Sequence, residues 1–231
     1  MDARFPPMEL WVAVRTALLD AHLAFWTAPP WSIDQVVILG AGFDTRAARL
    51  AGPGRRFFEV DHPASQAEKR RRISLLPGYP ADAATHVACN FETEDFLERL
   101  LATGFRADRP AVILWEGVVP YLTEPAIRAT LRRVAHGCHE RSVLLFDHLL
   151  KIKQKEGAPA DPSQAFVGKL GEEVLFRTND PVPMLHEEGF GHVRSVSFDE
   201  ACLTLTGTYE RAREFRFQRV VLASRTATGV P

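Results

Sequence analysis

Two glycines directly follow an apolar run near position 40. Gly40 and Gly42 come after Val-Val-Ile-Leu at positions 36–39, an order typical of a buried strand that ends in a tight turn before a helix. Glycine has no Cβ and tolerates a positive φ, so a ligand can approach the backbone of such a turn closely. We therefore expect a nucleotide-like cofactor here, with a purely structural turn as the alternative.

The residue at position 45 bears on which cofactor this is. A dinucleotide-binding turn would have a third glycine there, and this chain has Thr45. Without that glycine the close fit of a pyrophosphate against the helix loses support. Adenosine without a diphosphate fits better, which predicts S-adenosylmethionine (SAM). A nicotinamide-dependent oxidoreductase on a similar sheet is the alternative from another enzyme class.

Polar residues follow three further apolar segments. Asp61 lies 19 positions beyond Gly42, close to the ~20 at which an acidic group accepts hydrogen bonds from ribose hydroxyls. A helix N-cap is the alternative for Asp61, with Glu59 then the partner of the ribose. Asn90 and Phe91 offer an amide and a ring face to an adenine, although Asn90 could equally cap the next helix. Glu116 could face the cationic end of SAM, or be a structural carboxylate.

His148 and Tyr121 are the candidate catalytic residues. A carboxylate acceptor with a pKa near ~4 is ionised at neutral pH and needs no base, whereas a phenol with a pKa of ~10 would benefit from one. His148, expected directly after the fifth strand, would be that base, with packing or substrate contact as the alternative. Tyr121 could bind an acceptor oxygen or simply pack. The histidines show no metal-ligand spacing, so no metal is expected.

Alternating strands and helices must position these residues. Strands are predicted over about 35–39, 56–60, 85–88, 111–115, 142–147, 192–198 and 214–223, and helices over about 8–26, 45–50, 63–76, 92–101, 123–137 and 183–188. The pattern predicts an α/β fold with a doubly wound, mostly parallel, seven-stranded, Rossmann-like sheet and an antiparallel last strand. The polar residues named above then fall at the carboxyl ends of the strands, where such sheets bind ligands.

The chain is expected to form a single domain over 1–231, with an N-terminal helical cap over 1–30. Residues 151–180, punctuated by glycine and proline, are predicted as an inserted lid over the ligand edge, with a merely long loop as the alternative. Lys151, Lys169 and Arg177 are the cationic candidates there to meet a carboxylate substrate.

The composition favours a small-molecule or peptide substrate. With 28 Lys plus Arg against 29 Asp plus Glu, no overall field attracts nucleic acid or an anionic membrane, and neither is expected as a partner. Residues 1–7 lack a basic leader before an apolar stretch, and no segment approaches the ~18 apolar residues of a membrane span, so we expect a cytoplasmic protein. Cys89, Cys138 and Cys202 are far apart and predicted to lie in the core.

Three motifs in this order resemble those of the leucine carboxyl methyltransferase family. They are Leu-Gly-Ala-Gly-Phe-Asp-Thr-Arg at 39–46 followed by Arg-Leu at 49–50, Glu-Val-Asp-His-Pro at 59–63 with Lys69 downstream, and Trp-Glu-Gly-Val-Val-Pro-Tyr-Leu at 115–122. The likeness covers roughly 14–147. The family includes bacterial relatives that methylate polyketide and other secondary-metabolite carboxylates.

The resemblance implies a class I SAM-dependent O-methyltransferase acting on a carboxylate of a small molecule or natural-product intermediate. A hydroxyl or phenol acceptor is the alternative. The implied cofactor-binding residues are Arg15, Gly40, Gly42, Asp44, Asp61, His62, Asn90, Phe91 and Glu116. In the family, the arginine matching Arg15 pairs with the cofactor's carboxylate; a solvated arginine is the alternative here.

The chain departs from the family pattern in two places. Asn90 stands where the family usually has an aspartate near the adenine, which removes a charge but keeps hydrogen-bonding capacity. Only some thirty residues precede the first strand, fewer than in many relatives. Part of the substrate pocket is therefore expected from 151–180 or from a second subunit, which makes a homodimer an expectation.

Overall fold

A single mixed sheet forms the centre of the computed structural model, which describes residues 6–151, 173–208 and 217–227. Its strands are β1 (Gln35–Leu39), β2 (Arg56–Asp61), β3 (Ala84–Ala88), β4 (Ala111–Trp115), β5 (Val143–Leu149), β6 (His192–Ser197) and β7 (Gln218–Ser224). They lie in the order β3-β2-β1-β4-β5-β7-β6. Strands β1 to β5 are parallel, and β7 is antiparallel to both β5 and β6. The predicted doubly wound, mostly parallel, seven-stranded sheet is confirmed.

Helices cover both faces of this sheet. They are α1 (Pro6–Thr27), α2 (Arg46–Leu50), α3 (Pro63–Ile73), α4 (Phe96–Leu101), α5 (Glu124–Gly137), α6 (Val182–Glu187) and α7 (Phe198–Thr206). The apolar sides of α1, α2 and α7 share one core cluster, and those of α4, α5 and α6 share the other. A short 3-10 turn, Val119–Tyr121, follows β4.

The strand sequences explain why both faces are covered. In β1, Val37 and Leu39 point into the cluster beneath α4 and α5, whereas Val36 and Ile38 point into the cluster beneath α1. Successive side chains on a strand point to opposite faces, so a strand buried on both sides is an unbroken apolar run. Every residue of β1 and of β4 is buried.

Helix α7 was not predicted from the sequence. The Ser197 hydroxyl accepts a hydrogen bond from the Glu200 backbone N at 3.2 Å, and the Glu200 carboxylate accepts one from the Ser197 backbone N at 2.6 Å. This capping box begins the helix, and Phe198 then packs edge-on against Trp11 of α1, with ring centroids 5.6 Å apart. The Ser-x-x-Glu spacing at 197–200 is the sequence signal that was overlooked.

Several predicted boundaries were wrong; the helix predicted over 63–76, for example, ends at Ile73. Strand β5 extends two residues beyond Asp147, so His148 lies inside the strand, paired with Arg219 of β7, and not directly after it. The antiparallel partner strand prolongs β5, and that pairing is not visible locally in the sequence. The helix predicted from position 92 begins at Phe96, because Asp95 is its N-cap and accepts a hydrogen bond from the Leu97 backbone N at 2.9 Å.

The predicted lid falls mostly outside the described residues, which exclude 152–172 and therefore Lys169. Its last part lies against the ends of β4 and β5. The backbone N atoms of Leu175 and Phe176 donate to the Pro120 carbonyl at 2.8 and 3.1 Å, and the Thr178 N donates to the Leu149 carbonyl at 3.0 Å. A lid over 151–180 stays a prediction, as does the N-terminal cap; helix α1 itself is packed into the core.

The three cysteines are buried free thiols, as predicted, and burial raises the pKa of Cys138 to about 12. Within the described ranges, no helix combines the length and apolar character needed to cross a membrane. The same residues bring no three His, Cys, Asp or Glu side chains into a group that could hold a metal ion.

Candidate cofactor site

A cavity of about 460 Å³ opens at the carboxyl ends of β1 and β4. Its lining includes Arg15, Gly40, Gly42, Asp44, Arg46 and Glu116. The strand order reverses between β1 and β4, which is where doubly wound sheets bind ligands. The volume lies in the range of about 300–1,000 Å³ typical of small-molecule sites.

The two glycines of the turn serve different purposes. Both have positive φ, +65° at Gly40 and +43° at Gly42. A Cβ added to Gly40 would lie 2.3 Å from Cγ2 of Val118, so this glycine lets the turn pack against the residues after β4. Among the described atoms, a Cβ on Gly42 would meet only the Gly40 carbonyl oxygen, 4.0 Å away. The space beside Gly42 is therefore open to a ligand.

Asp61 ties the end of β2 to this turn. Its carboxylate accepts a hydrogen bond from the Gly42 backbone N at 2.5 Å and another from the His62 N at 2.7 Å. Partial burial raises the pKa of Asp61, and these two hydrogen bonds oppose that shift. The N-cap of α3 is His62, whose Nδ1 accepts from the Ala64 N at 3.2 Å. His62, and not Asp61, is therefore the N-cap of this helix.

Arg15, on α1, reaches two carboxylates at the cavity wall. Its Nε donates to Glu116 at 2.7 Å and its Nη1 to Asp147 at 2.8 Å. Asp147 also accepts from the Gly117 backbone N at 2.6 Å. Burial alone would lower the pKa of Arg15, but the two carboxylates outweigh it and raise that pKa. The solvated-arginine alternative for Arg15 is excluded by these contacts.

Arg46 extends this charge cluster on the other side of Glu116. Its Nη1 forms an ion pair with the Glu116 carboxylate at 2.6 Å and donates a hydrogen bond to Asp44, and its Nε donates to Asp20 at 2.5 Å. The Arg46 side chain is 2% exposed, so its charge depends on these partners. The Asp44 carboxylate also accepts a hydrogen bond at 2.6 Å from the backbone N of Arg46, the first residue of α2.

Sequence reasoning missed Arg46, Asp20 and Asp147 as members of this cluster. Arg46 is the last residue of the motif at 39–46, but the residues next to it in the sequence do not indicate that its side chain is buried. Asp147 is 132 positions from Arg15, and no local pattern reports a pairing at that separation. The end of the buried strand β5 was the available signal for Asp147.

Asn90 and Phe91 lie away from this cavity. The Asn90 side-chain oxygen accepts from the Glu92 N at 3.0 Å, and the Asn90 backbone N donates to Glu94 at 2.8 Å. The side-chain oxygen therefore holds its own turn. The alternative that Asn90 caps the next helix was wrong, because the N-cap of α4 is Asp95. Phe91 lines a separate groove of about 710 Å³ beside α4 and α5. Neither residue is among those lining the 460 Å³ cavity, and their adenine roles stay predictions.

The candidate catalytic residues are also outside the lining of that cavity. His148 is 1% exposed and points to the opposite face of β5 from Asp147, because strand side chains alternate. Burial lowers the pKa of His148 below the ordinary histidine value. Tyr121 is half-buried and packs beside Leu149 and Val174.

The fold, including the sheet order described above, is similar to that of solved methyltransferases. A methyltransferase from Thermobifida fusca, described as putative, has a TM-score of 0.64 and 16% identity, with 96% of this chain and 84% of that chain covered. The glycopeptide N-methyltransferase MtfA, solved with SAM, has a TM-score of 0.55 and 14% identity, with 89% and 92% covered. At these identities the likeness establishes the fold alone: a class I, Rossmann-like methyltransferase fold.

Sequence comparison identifies the family. The model of the leucine carboxyl methyltransferase family matches residues 1–135, more than half of the chain. The chain therefore belongs to this family, and the resemblance found in its three motifs is confirmed.

Two bacterial relatives share the name "Putative S-adenosyl-L-methionine-dependent methyltransferase". The one from Parafrankia sp. is 38% identical over 117 residues, covering 50% of this chain and 37% of the relative. The one from Streptomyces coelicolor is 38% identical over 124 residues, covering 53% and 43%. The chain thus matches less than half the length of these relatives.

Proposed function

We propose that the chain is a SAM-dependent O-methyltransferase that transfers a methyl group to a carboxylate of a small molecule or natural-product intermediate. The observation that carries the proposal is the cavity beside Gly42 at the point where the strand order reverses, in a chain of the leucine carboxyl methyltransferase family. The family's relatives that match here are named for SAM dependence, which supports the choice of cofactor.

The residues around the cavity fit SAM. The open space beside Gly42 lets a ligand reach the backbone. Asp61 and His62 are not among the residues lining the cavity, but Asp61 holds the lining residue Gly42, is partly exposed and keeps acceptor capacity for ribose hydroxyls. Arg15 uses Nε and Nη1 for protein carboxylates, so Nη2 is its remaining donor toward the cofactor's carboxylate. Glu116 and Asp44 supply negative charge for the ammonium group and the sulfonium.

A carboxylate acceptor suits a site without a base. SAM, when bound, supplies an electrophilic methyl group on sulfur. A carboxylate is ionised at neutral pH, so the chain needs only to align the acceptor within ~3–3.5 Å of its target and exclude water. His148, buried in β5, agrees with this because it does not line the cavity. Arg177, whose Nη1 donates to the Leu150 carbonyl at 3.3 Å, lies at the same strand end as a candidate cation for the acceptor.

A hydroxyl or phenol acceptor is the second candidate. Its candidate base is His148, whose imidazole is neutral near pH 7 because burial lowers its pKa, although the same burial weakens it as a proton acceptor. Mutation separates the two: His148→Ala should leave turnover within a few-fold for a carboxylate acceptor, whereas a loss of ~10²-fold or more indicates a base. A nicotinamide-dependent oxidoreductase is disfavoured by family membership and by Thr45.

Mass spectrometry with methyl-labelled SAM and a panel of acids, phenols and peptides tests the proposal. We expect label on the carboxylate of at least one small acid, and none with an Asp61→Ala protein at matched concentration. The exposed Asp82→Ala is the control and should transfer label as the unaltered protein does. Label only on hydroxyl groups would replace the carboxylate proposal with the second candidate, and no transfer to any acceptor would contradict both.

The proposed partner is the small-molecule acceptor, and the balanced charge argues against nucleic acid or a membrane surface. A homodimer remains part of the proposal, as the source of missing acceptor-side residues. Light scattering at working concentration checks it, and a monomer would leave residues 151–180 as the expected source.

A further inference from the structure

A buried ion pair lies behind the glycine turn and outside the cavity. Lys69 of α3 is 4% exposed and Glu59 of β2 is 3% exposed. The Lys69 Nζ donates to the Glu59 carboxylate at 2.6 Å. Neither residue is among those lining the 460 Å³ cavity, so the pair is not placed to touch a ligand there.

The Lys69 Nζ makes a second contact, with the turn itself. It donates to the Asp44 backbone carbonyl at 2.7 Å. The Asp44 backbone N closes the turn by donating to the Ala41 carbonyl at 2.7 Å, and its carboxylate accepts from the backbone N of Arg46 at the start of α2. Lys69 therefore holds the residue at which the glycine turn becomes a helix.

The turn is thus anchored at two points to the same β2–α3 unit. Asp61 at the end of β2 holds the Gly42 N, and Lys69 of α3 holds the Asp44 carbonyl. The segment between them lines the cavity. A shift at either anchor would change the backbone that the ligand must approach, and displacements of ~1 Å are enough to weaken a preorganised site.

The negative charge of Glu59 allows the ammonium group of Lys69 to be buried beside the turn. A buried ammonium group without a partner is costly, and Glu59 supplies the opposite charge. A hydrogen bond from a charged donor to a carbonyl is roughly twice as strong as one between neutral groups. We propose that Lys69, paired with Glu59, is a positioning residue that holds the glycine turn in the conformation that binds the cofactor. This inference rests on the proposed function of the cavity.

The test compares variants that remove the anchor with one that keeps it. Glu59→Met with Lys69→Met leaves no buried charge, and replacing a buried ion pair by apolar residues of similar size is often tolerated. Titration calorimetry with S-adenosylhomocysteine (SAH) should give at least a tenfold weaker affinity for this double variant, with a urea midpoint near that of the unaltered protein. Glu59→Gln, which keeps Lys69 and its Asp44 contact, should stay within about threefold in affinity.

A control comes from another buried carboxylate, which is paired with two partly exposed arginines. Glu188 contacts Arg128 and Arg132 at 3.1 and 2.8 Å, and its side chain is 4% exposed. Glu188→Gln should lower the urea midpoint and leave SAH affinity unchanged. If the double methionine variant does not fold, the double variant Glu59→Gln with Lys69→Gln is compared with the single variant Glu59→Gln. The double variant, which lacks the lysine, should bind SAH more weakly.

Hydrogen exchange in the absence of ligand gives an independent readout. The amides of Gly42 and Asp44 should exchange at least tenfold faster in the double methionine variant, with β4 amides unchanged. Unchanged SAH affinity and unchanged exchange in that variant would overturn the inference. If the unaltered protein binds no SAH, the proposed function fails, while the exchange rates still decide whether Lys69 anchors the turn.

Discussion

Asp147 shows how one carboxylate can organise the wall of the cavity. It accepts from Arg15 of α1 and from the Gly117 N after β4, while its own backbone belongs to β5. The carboxylate is buried, and two donors compensate the loss of water. Three elements are therefore held together at the point where the cofactor's methionine part is proposed to lie.

Asp61 should make SAH affinity depend on pH. The pKa of Asp61 is raised by burial, and ribose binding needs the ionised carboxylate, so affinity should be constant above that pKa and fall as the pH is lowered through it. The Asp61→Asn protein should bind SAH about tenfold more weakly at pH 7, and its affinity should not show the fall that comes from protonation of Asp61. Calorimetric titration of both proteins across pH checks it, since the ligand's own titration is common to both. Parallel profiles would contradict the ribose role.

The lowered pKa of His148 should make the stability of the fold depend on pH. Because its folded pKa is lowered, the unfolded chain binds the proton first, so stability is complete above the unfolded value near 6.5 and falls as pH drops toward the folded value. The slope in that window is at most ~1.4 kcal/mol per pH unit. Urea unfolding of His148→Gln between pH 7.5 and 5 should show a flatter profile. The exposed His192→Gln is the control, and an unchanged slope in His148→Gln would contradict the assignment.

At the scale of elements, α7 is held by its capping box and by its packing on α1. Ser197→Ala removes the acceptor for the Glu200 N and should lower the free energy of unfolding by about 1 kcal/mol. Thr204→Ala, exposed on the same helix, should change it by less than about 0.5 kcal/mol. Equal effects of the two substitutions in urea unfolding would mean that the cap does not stabilise the helix.

The elements also explain what the sequence could predict. Strands β1 and β4 match their predicted bounds because each is buried throughout and contains an apolar run, residues 36–39 or Ala111–Trp115, that ends at a glycine or a glutamate. Gly42, Asp61 and Glu116 were found because each directly follows such a strand or ends it. The end of β5 was misplaced because β7 extends it, and Asp147 was missed because its partner lies on α1. Contacts between distant segments leave no local pattern.

At the scale of the whole molecule, the sheet brings three separate motifs to one edge. The turn after β1, the end of β2 and the residues after β4 come together because these strands are parallel neighbours in the order β2-β1-β4. Helix α1 closes the cavity from one side through Arg15. The family motifs thus meet at one edge of the sheet, where the cofactor is proposed to bind, and the acceptor side is expected from the segment after β5 or from a second copy.

The most direct test of the central claim is a crystal structure of the protein grown with saturating SAH. We expect density for the ligand in the 460 Å³ cavity, with its ribose hydroxyls against Asp61 and its backbone contact at Gly42. Ligand density elsewhere on the molecule, or a cavity without it at saturation, would contradict the account.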